Sequence, residues 1–68
     1  MTDYHDLDEK EKEVLRILDA ARRPLNTNQV AERADWSWKT AEKYLKRLYG
    51  KQLLRKRTEG SSTYWRIR

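Results

Sequence analysis

The stretch from Asp35 to Leu48, DWSWKTAEKYLKRL, contains the pattern that decides the fold. Ser37 is a favoured residue for a helix N-cap, and apolar residues recur after it at helical spacing. They form a narrow inner side: Ala41, Tyr44, Leu45 and Leu48. Most of the remaining circumference is basic: Lys39, Lys43, Lys46 and Arg47. A helix with so thin a buried side and so many cations is expected to lie at the surface and contact a negatively charged partner.

Charge is divided unevenly along the chain. Residues 1–21 hold seven acidic and three basic side chains, a net charge of −4, whereas residues 22–68 hold thirteen basic and four acidic ones, a net charge of +9. The whole chain therefore carries +5. This asymmetry favours a polyanion at one surface of the molecule.

The composition bounds the class of protein. The 68 residues are enough for one small domain, 1–68, in which we expect residues 1–6 to be a flexible tail. The chain has no cysteine, so disulfides and thiolate metal sites are excluded. It shows neither a signal-peptide pattern nor an apolar run of membrane-spanning length, which favours a cytoplasmic location.

The inventory of reactive side chains predicts no catalysis. The single histidine, His5, lies in the expected tail, and we find no glycine-rich phosphate loop and no spaced cluster of histidines and carboxylates. The sequence therefore predicts a protein that is not an enzyme and uses no metal, no cofactor and no small-molecule ligand.

Upstream of the opening stretch the pattern predicts two helices. Asp8 and Glu11 have the spacing of a capping box, and the apolar residues that follow continue to about Arg22. Pro24 is expected to end that helix, after which Leu25 forms a brief extended segment. A short second helix over residues 28–34 is capped by Asn26 or Thr27.

Downstream, the period of the apolar residues changes from that of a helix to that of a strand. Gly50 suits the left-handed position that ends a helix. Residues 53–57 then predict one strand, residues 58–62 a loop containing Gly60, and residues 63–68 a returning strand. In the second strand Trp65 and Ile67 share one face.

This order is that of a helix-turn-helix followed by a β wing. Residues 24–67, PLNTNQVAERADWSWKTAEKYLKRLYGKQLLRKRTEGSSTYWRI, resemble the winged helix-turn-helix domains of archaeal and bacterial transcription regulators of the MarR-like or ArsR-like type. The chain looks most like the short stand-alone forms of archaea and their viruses. The resemblance implies an α+β fold with three helices, a short strand between the first two, and a C-terminal β-hairpin.

The resemblance also implies a site for double-stranded DNA. The third helix, about residues 38–49, would lie in the major groove, and the hairpin, about residues 53–68, would reach an adjacent groove or backbone. Glu42 would accept from a cytosine amino group or pair with Lys46 within the helix. The implied contacts are Thr27, Asn28, Gln29, Ser37, Trp38, Lys39, Thr40, Glu42, Lys43, Lys46, Arg47, Arg55, Arg57 and Arg66.

The two tryptophans of the opening stretch receive different interpretations. Trp36 occupies the turn, where an apolar plug is needed, and is predicted to belong to the core. Trp38 lies on the first turn of the helix, where it either packs on a sugar or thymine methyl group or covers the end of the second helix.

Two other functions use the same fold. A protein-interaction module is one, although such modules usually lose the basic third helix. A binder of Z-form nucleic acid is the other, on the strength of Lys39 and Trp65; Glu42 and Lys46 replace its helix asparagine and tyrosine, and Ser62-Thr63 replaces its prolines. Because a small module gains affinity through symmetry, the sequence also favours a homodimer, with the first helix, Tyr4 or Tyr49 as contacts.

Overall fold

The computed structural model describes residues 7–68, which form three helices and three strands. In chain order they are α1 (Glu9–Ala21), β1 (Leu25–Asn26), α2 (Thr27–Ala34), α3 (Trp38–Gly50), β2 (Leu54–Glu59) and β3 (Ser62–Ile67). This is the predicted order. The expectations for the tail, for Tyr4 and for His5 concern residues outside the described range.

Side-chain caps start all three helices. The Asp8 carboxylate accepts from the Glu11 N–H at 2.8 Å, and the Glu11 carboxylate accepts from the Asp8 N–H at 3.0 Å, which completes the predicted capping box. Asn26, not Thr27, caps α2 through the same reciprocal pair with Gln29. Since each cap satisfies donors that would otherwise lack partners, the helix starts are fixed by local sequence.

The helix ends use left-handed residues that are not glycine. Arg22 ends α1 with φ 54° and Asp35 ends α2 with φ 59°. The prediction for Gly50 was wrong, because Gly50 remains helical and Gln52 takes the left-handed conformation with φ 63°. Lys51, Gln52 and Leu53 connect α3 to β2, and the Leu53 N–H donates to the Leu48 carbonyl at 3.0 Å.

The sheet is antiparallel with the order β1-β3-β2, so the last strand along the chain is the central one. Its register places Trp65 beside Leu25 on one side and Lys56 on the other. The hairpin is tighter than predicted, because Glu59 pairs with Ser62 and leaves only residues 60 and 61 as the turn. Gly60 has φ +59°, as the first position of a two-residue type II′ turn requires.

The core lies between the helices and the inner face of the sheet. Its fully buried side chains are Val14, Leu25, Val30, Ala41, Leu45 and Leu48. Trp65 is 3% exposed, and its indole Nε1–H donates to the Thr27 hydroxyl oxygen at 3.0 Å. Ile67 is 36% exposed although it shares the face of Trp65, because it lies near the end of the sheet. Trp65 therefore anchors the hairpin to the helical layer.

Trp36 is not a fully buried plug. It is partly buried and packs against the edge of the core, with its ring centroid 5.8 Å from that of Tyr44. Lys10 lies over the exposed side of its ring, 5.6 Å from the centroid. The turn itself is held by the backbone, since the Trp36 N–H donates to the Ala31 carbonyl at 2.9 Å. The interpretation of Trp36 as a core residue is thus corrected to one of edge packing.

An ion pair between a buried carboxylate and a partly exposed lysine joins the start of α1 to the residue that follows α3. Glu11 is 2% exposed, and its Oε2 atom lies 2.8 Å from Nζ of Lys51. The same carboxylate belongs to the capping box, so one side chain fixes the start of α1 and connects it to the residue that follows α3. No helix in the described residues is long and apolar enough to cross a membrane.

The different burial of the two tryptophans generates a prediction of stability. We expect Trp65→Ala to lower the free energy of unfolding by about 3–5 kcal/mol, the usual loss for an aromatic side chain deleted from a packed interior. Trp36→Ala should cost about 1–2 kcal/mol, because less apolar surface is withdrawn from water there. Chemical denaturation of both variants measures the difference, and equal losses would contradict this assignment of the core.

Candidate nucleic-acid interface

The outward side of α3 carries cations that the fold does not neutralise. Lys39 and Lys43 are exposed, and neither forms a salt bridge with an acidic side chain of the described residues. Lys46 is also exposed, but its Nζ atom lies 3.7 Å from the Glu42 carboxylate. Glu42 was interpreted either as an acceptor for a cytosine amino group or as the partner of Lys46 within the helix, and the structure contains the pair with Lys46. Ala41, Leu45 and Leu48 face the core, so this basic side is turned to solvent.

A groove of about 260 Å³ separates α3 from the hairpin. Its walls combine an aromatic ring with hydroxyl, amide and charged groups, supplied by Asn28, Trp38, Glu42, Lys46, Lys56 and Thr63. Trp38 is 47% exposed, so much of its indole remains accessible in this groove. The groove thus presents an apolar surface together with hydrogen-bond donors and acceptors.

Lys56 is a groove residue that the sequence interpretation missed. It pairs with Trp65 across the hairpin, and its Nζ atom lies 4.7 Å from the ring centroid of Tyr49 and 5.9 Å from that of Trp65. Such cation–π contacts hold a lysine against the aromatic surface. The signal was present in the alternation of the strand, because Lys56 is two residues from the buried Leu54 and therefore shares its face.

The three predicted wing arginines lie elsewhere. Arg55 and Arg57 alternate with Leu54 and Lys56, and they therefore project from the outer face of the sheet, away from the helices. Arg66 pairs with Arg55 on that face, while Tyr64 pairs with Arg57. The structure consequently divides the predicted interface into two basic surfaces, one on α3 and in the groove and one on the back of the sheet.

The predicted phosphate contacts at the start of α2 are also divided. Asn28 is exposed and lines the groove, as expected. Thr27 is buried, and its hydroxyl accepts from Trp65, so this side chain is turned inward to stabilise the fold. The Gln29 side chain is occupied by its bond to the Asn26 N–H. The fold thus uses the Thr27 hydroxyl oxygen and the Gln29 amide oxygen as acceptors, and phosphate contact by Thr27 and Gln29 stays a prediction.

On α3, Arg47 and the N-terminal hydroxyl groups have local partners. Arg47 lies 3.7 Å from the Asp8 carboxylate and over the ring of Tyr44, so it is directed toward the start of α1 and not toward the groove. Ser37 caps the helix through the Thr40 N–H at 3.3 Å, and the two hydroxyl groups are 2.9 Å apart. The hydroxyl groups of Ser37 and Thr40 thus lie at the N-terminal end of α3.

The described residues contain no group of three or more His, Cys, Asp or Glu side chains that could hold a metal ion. The chemistry of the site is therefore that of its lysines, its aromatic rings and its hydroxyl and amide groups.

Comparison of the sequence with family models places residues 9–68 in DUF7342, which is described as a family of unknown function. The chain belongs to this family. The comparison with curated protein sequences gave no match.

Solved structures share the fold. The PcaV transcriptional regulator of Streptomyces coelicolor is 24% identical, with a TM-score of 0.84 over 93% of this chain and 46% of its own. The zinc-responsive MarR family member ZitR of Lactococcus lactis is 21% identical, with a TM-score of 0.81 over 93% of this chain and 44% of its own. The chain thus spans about half the length of these regulators.

The fold also occurs as a smaller part of another protein. Human N-acetylserotonin methyltransferase is 24% identical, with a TM-score of 0.74 over 87% of this chain but only 17% of its own. Together the similarities confirm the predicted α+β winged helix-turn-helix fold and its resemblance to MarR-type domains. Because one fold serves several functions, function has to be argued from the site.

The inward hydroxyl of Thr27 generates the second prediction. Thr27→Val keeps the shape but leaves the buried Trp65 N–H without an acceptor, which should cost about 1–3 kcal/mol of unfolding free energy. Thr27→Ser retains the hydroxyl and is the matched control, with a smaller loss. Urea unfolding compares the two, and a valine variant as stable as the serine variant would show that this bond does not hold the hairpin to α2.

Proposed function

We propose that the protein binds double-stranded DNA by inserting α3 into the major groove, with the hairpin beside it, and that it regulates transcription. The observation that carries this proposal is the exposed side of α3, where Lys39 and Lys43 lack acidic partners among the described residues next to a groove lined by Lys46 and Lys56. When lysines in such an arrangement neutralise phosphates, counterions that were condensed on the DNA are released, and that release drives binding.

The residues around these lysines have separate proposed roles. Asn28, Ser37 and Thr40 lie at the starts of α2 and α3, where hydroxyl, amide and backbone N–H groups suit phosphate oxygens. Trp38 would pack its exposed ring on a sugar or a thymine methyl group. Glu42 would exchange its partner Lys46 for a cytosine amino group when the preferred sequence is present.

The wider setting of the function follows from the same reasoning. A single domain of this size contacts a short stretch of DNA, so we propose that a homodimer provides the affinity and the selection of paired half-sites. We expect a cytoplasmic protein that binds without a cofactor and performs no catalysis. PcaV and ZitR share the fold of this chain, and this shared fold supports the proposal of a regulatory function.

A protein-docking module is the second candidate, because one fold can serve several functions. The two functions differ in their response to nucleic acid. A gel-shift with DNA of random sequence at low salt should give a complex if α3 binds phosphates, whereas a docking module should leave the duplex free.

The third prediction concerns the salt dependence of DNA binding. If Lys39, Lys43, Lys46 and Lys56 each neutralise one phosphate, a plot of log affinity against log salt should have a slope of about −3 to −4 per protomer. Lys43→Ala should weaken binding and flatten this slope by about one unit. Fluorescence anisotropy across a salt series measures both quantities.

Lys12→Ala is the matched control for Lys43→Ala. It also removes one lysine charge from a helix surface, but from α1, where Lys12 is partly buried and lies 3.8 Å from Glu9. Its effect on affinity should be several-fold smaller. Equal losses from the two variants would mean that net charge alone determines binding, and α3 would lose its proposed role.

A further inference from the structure

The outer face of the sheet forms a second basic surface, which we call the arginine face and define by Arg55, Arg57, Tyr64 and Arg66. These side chains, together with Pro24 and Lys56, surround an open cleft of about 320 Å³. The proposed contact through α3 shares Lys56 with this cleft but uses none of the three arginines. Three guanidinium groups and one aromatic ring therefore lie together on a surface for which the proposed α3 contact gives no role.

The charges of the arginine face are poorly neutralised by the protein. Arg55 and Arg66 are directly opposite each other in the register, and like charges in such a pair destabilise a sheet. Arg57 pairs with Glu59 at 2.8 Å, but neither Arg55 nor Arg66 forms a salt bridge with an acidic side chain of the described residues. An external anion would relieve the repulsion that the fold retains.

The direction of this face separates it from the α3 groove. Leu54 and Trp65 point from the opposite side of the same strands into the core, whereas Lys56 lines both the cleft and the α3 groove, with its Nζ atom against Tyr49 and Trp65. A duplex that lay along α3 would meet the groove side of the hairpin, whereas Arg55, Arg57 and Arg66 alternate onto the opposite face of the sheet. An anion bound at the arginine face would then belong to a different segment.

The chemistry of the face favours DNA phosphates over a protein or a small molecule. Arginine presents a planar fork of donors that matches phosphate oxygens. Arginine and tyrosine also occur at protein interfaces, but two opposed guanidinium groups without an acidic neighbour favour a polyanion, whose successive phosphates can neutralise both. A small ligand is usually enclosed on most of its surface, and this cleft is open to solvent.

We propose that the arginine face binds the phosphate backbone of a second DNA segment, so that one protomer bridges two duplexes. This inference rests on the proposed binding of a first duplex by α3. It adds a structural function, the joining of DNA segments, to the proposed regulation.

A two-duplex capture experiment with the full chain tests the proposal. One duplex is immobilised, protein is added, and retention of a fluorescent second duplex is measured. The wild-type protein should retain it. Arg55→Gln/Arg66→Gln should bind the immobilised duplex within about twofold of wild type but retain at least about tenfold less of the second duplex, because two phosphate contacts are lost only at the second site.

The controls separate the possible outcomes. Arg57→Gln removes one arginine that Glu59 already neutralises, so it should reduce retention less than the double variant. Thermal melting of the double variant should match wild type or exceed it, because the opposed charges are removed. Lys39→Gln/Lys43→Gln should weaken the capture of both duplexes.

Three results would overturn the bridging proposal. They are a wild-type protein that retains no second duplex, a double arginine variant that still retains it, and a double variant that loses both duplexes equally. The second result would mean bridging through the α3 surfaces of two copies, and the third would place the arginines on the first duplex. If the lysine variant bound DNA as tightly as wild type, the proposed role of α3 would fail instead.

Discussion

The hydrogen bond from Trp65 to Thr27 is the interaction on which the arrangement of the site depends. It is buried, and it joins residues 38 positions apart, the centre of β3 and the first turn of α2. Trp65 also contacts the ring of Tyr49 near the end of α3, with centroids 6.0 Å apart. One indole therefore holds the hairpin at a fixed distance from both helices of the helix-turn-helix, and that distance sets the width of the groove that contains Lys56.

The features predicted from the sequence are those that local physical chemistry determines. Capping boxes at Asp8 and Asn26 fix helix starts through contacts three residues apart, and the apolar spacing of α3 gave the correct inner face. The inward turn of Thr27 was not predictable in this way, because its partner is Trp65 on the last strand. The outward direction of Arg55 and Arg57 was readable from strand alternation, but the wing was interpreted as a single basic unit. DNA contact by the predicted site residues stays a prediction.

The charge division of the sequence has a different meaning in three dimensions. Much of the acidity of α1 is matched locally, by ion pairs of Glu9 with Lys12 and of Glu13 with Arg16. Glu11 is buried against Lys51, and Asp8 lies near Arg47. Within the described residues, these four acidic side chains are thus paired with bases of α1, Arg47 and Lys51, whereas Lys39 and Lys43 of α3 and Arg55 and Arg66 of the sheet have no acidic partner. The charge of the folded molecule is therefore better described by two local basic surfaces than by an acidic half and a basic half.

The central position of the last strand has a consequence for biosynthesis. Within residues 7–68, β1 pairs with β3 alone, and the indole of Trp65 belongs to the core. The sheet is therefore complete only after the ribosome has released almost the whole described chain. Until then α1, α2 and α3 present leucine and valine side chains without their covering layer. Contacts between distant parts of a chain close slowly, and exposed apolar surface promotes aggregation. We therefore expect the apolar faces of the three helices to stay exposed on the nascent chain until Trp65 has left the ribosome.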